Sequence, residues 1–118
     1  MEIPPAEVID RISIVKLKIE RIGEPHLQKE FEELQKAVEE FEQKDIKIKS
    51  EWFEELYVIN GAQWDLESRM RKAKENGPDF IEMGKIYIEL QKSNKKRVAV
   101  KNKISEETGQ GFKDIKIN

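Results

Sequence analysis

The chain has no cysteine and one histidine, His26. The first absence excludes disulfides and thiolate metal sites and fits a reducing compartment. The second leaves little for proton-transfer chemistry, because His26 falls in the first turn of an expected helix, beside solvent. No apolar run approaches the ~20 residues of a membrane span. The segment Met1-Glu2-Ile3-Pro4-Pro5 lacks the basic stretch and apolar run of a signal peptide. A cytoplasmic setting with no membrane contact is therefore expected. The net charge of −2 gives no general attraction to nucleic acid or anionic lipid. No Gly-rich phosphate loop, H-E-x-x-H pair or Asp-rich calcium loop occurs, so neither a cofactor nor a metal is expected.

What the chain does have is charge and periodicity. Charged residues make up 39% and hydrophobic ones 37% of 118 residues, enough for one domain. The apolar residues recur at steps of three and four, which is a helical stripe and not a disordered composition. An all-α fold follows, with helices over residues 5–22, 25–43, 51–75 and 79–107 and a short extended tail over 110–118. Pro4 and Pro5 can open the first helix, and Gly23 with Pro25 ends it. Ser50 suits an N-cap, and Asp79 with Glu82 has capping-box spacing. Short turns make two antiparallel hairpins, assembled as an elongated four-helix bundle with coiled-coil-like seams.

The helix over 79–107 is the element around which the rest is expected to pack. Its stripe of Phe80, Met83, Tyr87, Leu90, Asn94, Arg97, Lys101 and Ile104 is apolar at both ends and polar in the middle. Folding the third and fourth helices about the turn at Asn76-Gly77-Pro78 brings Asn60 level with Asn94, and Glu54 level with Lys101. Asn60, Gln63 and Glu67 form a polar stripe of their own, with Trp64 beside it. Arg97 is expected to pair with Glu67 or Glu54. Three readings of this layer stay open: a buried network that fixes register and pairing, a small-anion site using Arg97 and Lys101 on the anion and Asn60 and Asn94 on hydroxyls, or a boundary position where the stripe is merely solvent-exposed. Gly61 and Gly84 lie mid-helix, which suggests close helix packing, or at Gly61 room for a ligand.

Six basic residues between Lys92 and Lys103 stand without an acid, but they spread over different faces. Nucleic acid is therefore an unfavoured partner. The second helix is acidic and could neutralise them within the fold or across a dimer. Its Glu39, Glu40 and Glu42 read as a solvated face, since a magnesium site would need facing carboxylates. The fourth helix should be ~43 Å long against ~27 Å for the first. That mismatch leaves apolar surface uncovered, so a homodimer is expected. One echo, Lys44-Asp45-Ile46-Lys47-Ile48 and Lys113-Asp114-Ile115-Lys116-Ile117, leaves open whether two short strands pair.

Three stretches also combine in a familiar order. They are Glu7 to Lys16 with Glu20-Arg21-Ile22, then Val58-Ile59-Asn60 with Trp64-Asp65-Leu66-Glu67, and Ser93-Asn94-Lys95-Lys96-Arg97 onward to Lys101 and Ile104. Together the three resemble a family of small helical proteins of bacteria and phages, classed as a domain of unknown function. Some of its members are encoded near cell-surface polysaccharide genes. The resemblance marks Asp10, Lys16, Glu20, Asn60, Trp64, Asp65, Glu67, Asn94 and Arg97, and implies no activity. The expected function is thus a non-enzymatic interaction or assembly module whose polar layer sets pairing. The competing class is a protein or enzyme that binds a small anion or sugar phosphate.

Overall fold

The computed structural model describes residues 3–75 and 77–110. It contains four helices: α1 (Pro5–Arg21), α2 (His26–Gln43), α3 (Ser50–Glu75) and α4 (Phe80–Thr108). Among the described residues there is no strand. The second copy of the Lys-Asp-Ile-Lys-Ile echo, and the expected tail from residue 111 onward, lie outside them.

Local chemistry sets each helix end. Pro5 opens α1, where a missing N–H costs nothing, and Glu7 meets the positive end of the helix dipole. At its other end the amides of Ile22 and Gly23 both donate to the Lys18 carbonyl, at 2.7 and 3.0 Å, and Gly23 turns left-handed at φ 76°. Ser50, expected as a cap, is instead the first helical residue of α3. Asp79 caps α4 by accepting the Glu82 amide at 3.1 Å, and Gly109 closes it at φ 65°. No helix among the described residues is long and apolar enough to cross a membrane.

The organising helix is α1, not the long fourth one. Pro5, Ala6, Val8, Ile9, Asp10, Ile12, Ser13, Val15 and Leu17 are all buried, so α1 is covered on most of its circumference. One core joins Ala6 and Ile9 to Trp52 and Leu56 of α3 and to Val100 and Ile104 of α4. A second joins Val8 and Ile12 to Phe41 of α2. Among the helices α2 packs on α1 alone, whereas α1, α3 and α4 each touch one another.

Ion pairs give the directions. Lys49–Glu107, Lys103–Glu55 and Arg69–Glu82 (2.6, 3.2 and 2.7 Å) run in opposite order along α3 and α4, as in an antiparallel hairpin. Arg21–Asp65 at 2.7 Å marks where α1 ends beside α3. At ~1.5 Å per residue α1 spans about 25 Å, and α3 and α4 about 39 and 43 Å. Past Asp65 the α3–α4 hairpin therefore continues without α1, as a two-helix arm.

The inward face of α4 is also corrected. Met83, Leu90, Arg97 and Ile104 do turn inward, at least in part, but Phe80, Tyr87 and Asn94 are exposed. Their places are taken by Ile86, Ser93 and Val100. Two heptad readings share the seven-residue set beginning at Met83. Ile86 and Val100 bury aliphatic surface, Val100 against both α1 and α3, and burying Asn94 would not.

Candidate functional site

A carboxylate stands at the middle of α1, within a run of aliphatic residues. Asp10 is 2% exposed. An ionised carboxylate survives such burial only if its oxygens are paired, and α3 and α4 supply the partners. Asn60 Nδ2 donates to Asp10 Oδ1 at 2.9 Å and to Ser13 Oγ at 2.8 Å. Ser13 Oγ in turn donates to the Asp10 carbonyl at 2.7 Å. Arg97 donates from Nε to Asp10 Oδ1 at 3.1 Å and from Nη2 to Oδ2, a two-pronged pair. That hydrogen bonding holds the Arg97 guanidinium above its ordinary value, against the opposing effect of burial. Lys101 Nζ lies 2.5 Å from Glu7 and 4.0 Å from Asp10 Oδ2.

The polar residues meet around Asp10 in a different set from the one that spacing alone gives. Asn60, Arg97 and Lys101 gather at one level. Asn94 does not join them: it points outward on α4. Arg97 pairs with Asp10 instead of Glu67 or Glu54, and Lys101 pairs with Glu7. The carboxylate comes from α1, which the alignment of α3 with α4 left out. One signal could have found it from spacing alone: an aspartate between Ile9 and Ile12 on a helix with little exposed surface.

Gln63, Trp64 and Glu67 lie a turn further along α3. With Ile14, Leu17, Lys18, Asn60 and Arg97 they line a cleft of about 250 Å³. Gln63 Oε1 is buried there without a hydrogen-bond donor. Glu67 is exposed at its edge. Arg21 covers the Trp64 ring at 5.5 Å while pairing with the exposed Asp65. Gly61 brings α3 close to α1, since a Cβ there would sit 3.6 Å from Leu17. Lys16 and Glu20, 3.9 Å apart, lie outside this level on the exposed side of α1. Glu20 also accepts a hydrogen bond from Tyr57.

Chemically the layer is closed on itself. Its two cations, Arg97 and Lys101, each face a carboxylate of the same chain. Among the described residues no three histidine, aspartate or glutamate side chains converge in a way that could hold a metal. No curated protein and no solved structure matches this chain. The sequence does match the family of unknown function DUF6165 over residues 1–116, and the chain belongs to that family.

Proposed function

We propose that this protein is a non-enzymatic interaction or assembly module: a body of α1, α3 and α4 locked at Asp10, carrying the α3–α4 arm as its binding element. The observation that supports this reading is the outer face of the arm. Phe80, Ile81, Tyr87 and Ile88 are 74, 75, 58 and 54% exposed, in a chain where 39% of residues are charged. Contiguous exposed apolar side chains mark contact surfaces more often than scattered ones do. The layer at Asp10 serves as a staple that sets the direction of the arm. A cytoplasmic, bacterial or phage setting belongs to the same proposal.

A second reading rests on Gln63. Its buried, undonated oxygen beside Trp64 and Arg97 suits a small ligand that carries an N–H or O–H donor. A thermal-shift screen with nucleotides, nucleotide sugars, phosphates and divalent cations separates the two. The module reading expects no ligand-specific rise in Tm. A rise that Arg97→Met removes would replace it with the ligand-binding reading.

A further inference from the structure

Gly84 lies in the middle of the arm's exposed face, in the interior of α4. A glycine there costs helix stability relative to alanine, and the fold of the single chain gives no reason for it. A Cβ at residue 84 would meet nothing within 4 Å. Close packing explains Gly61 and leaves Gly84 unexplained. The four exposed apolar residues stand around Gly84 in a symmetric pattern. Phe80 and Ile81 lie four and three residues before it, and Tyr87 and Ile88 three and four residues after.

We infer that the arm binds a second copy of this chain through a two-fold axis at Gly84, an inference that rests on the module reading above. An isologous contact requires a patch that is complementary to itself. A two-fold axis through Gly84 and perpendicular to the helices brings residues equally far before and after Gly84 to the same height, Phe80 with Ile88 of the other copy and Ile81 with Tyr87. Phe80, Gly84 and Ile88 form one i±4 ridge, the kind that interdigitates with its equal at about −50°. Glycine at the crossing point lets the two backbones approach. None of the five residues is charged, so no like charges meet at the centre. Two aromatic and two isoleucine side chains at these exposures present on the order of 500 Å² per copy. The pair would then bury roughly 1,000 Å², the lower bound for a specific interface. The dimer is accordingly weak and dissociates on dilution.

Light scattering across a dilution series, on the wild-type chain and on Gly84→Leu, tests this. The single chain has room for the leucine, so Gly84→Leu is expected to keep or raise the Tm of the monomer. At the two-fold it blocks the crossing and weakens association by about tenfold or more. In a chain without cysteine, Gly84→Cys should also cross-link to a dimer on mild oxidation, while Glu89→Cys, on the other side of α4, should not. A wild-type chain that stays monomeric throughout overturns the inference. So does a dimer indifferent to Gly84→Leu, which would pair through another surface. A monomer with no hit in the ligand screen sinks this inference alone, whereas a monomer with an Arg97-dependent hit sinks the module reading as well.

Discussion

Asp10 concentrates the energetics of this molecule in one side chain. It is fully buried, charged, and answered by Arg97, Asn60 and, at longer range, Lys101. Removing one member of such a group leaves the others desolvated and unpaired. Asp10→Ala should cost about 3–5 kcal/mol in chemical denaturation. Arg97→Met alone should cost less, because Lys101 remains near the carboxylate. The double variant Asp10→Leu with Arg97→Met should recover much of the loss, as replaced buried pairs often do. A loss in the double variant equal to the sum of the Asp10→Leu and Arg97→Met losses would show that the two residues act independently. A second residue-scale expectation concerns Tyr57. Its hydrogen bond to Glu20 raises its pKa above the ordinary 10.0, because the neighbouring carboxylate disfavours the phenolate. The unfolded chain then loses the proton first. The stabilisation is whole below pH 10 and is lost as pH rises through the folded value. Ultraviolet difference titration should show the Tyr57 midpoint falling back towards 10.0 in Glu20→Gln.

At the scale of elements, the helices differ in how firmly they are held. Only Leu27 and Phe41 of α2 are buried, near its two ends, and α2 packs on α1 alone. Amides of α2 should exchange with solvent faster than those of α1, which is enclosed by three neighbours. Equal protection in the two helices would show that α2 unfolds only with the whole domain. The arm of α3 and α4 depends on its cap, with Asp79 holding the Glu82 amide and Glu82 in turn taking Arg69 across the hairpin. Asp79→Ala should therefore cost about 1 kcal/mol and raise exchange in the first turn of α4. An unchanged denaturation midpoint would count against that role.

For the whole molecule, extents of 53 × 43 × 25 Å fit an elongated all-α bundle of four helices, from which the α3–α4 arm projects. The arm is where self-association and stability part company. Charge substitutions on its outer face, such as Ile81→Lys, should leave the denaturation midpoint near that of the wild type, since the side chain is already in water. The same change should alter only the concentration dependence of molecular size. High salt should not weaken an uncharged contact, so light scattering at raised ionic strength should show equal or stronger association.

The sequence by itself determined the helices. Their bounds follow from Pro5, Gly23, Asp79 and Gly109, and their apolar stripes from spacing, because caps and periodicity are local chemistry. It also placed Asn60, Arg97 and Lys101 in the facing polar segments of α3 and α4, since residues on an antiparallel hairpin are placed by its turn. Tertiary structure alone decided the rest. Two heptad phases of α4 share half their positions, and only packing in the folded chain chose Ile86 and Val100 over Tyr87 and Asn94. The partner of Arg97 comes from α1, nearly ninety residues away, and no local pattern carries information across that distance. Burial turned Asp10 from one acid among many into the centre of the fold, and open space turned Gly84 from a packing residue into a candidate contact.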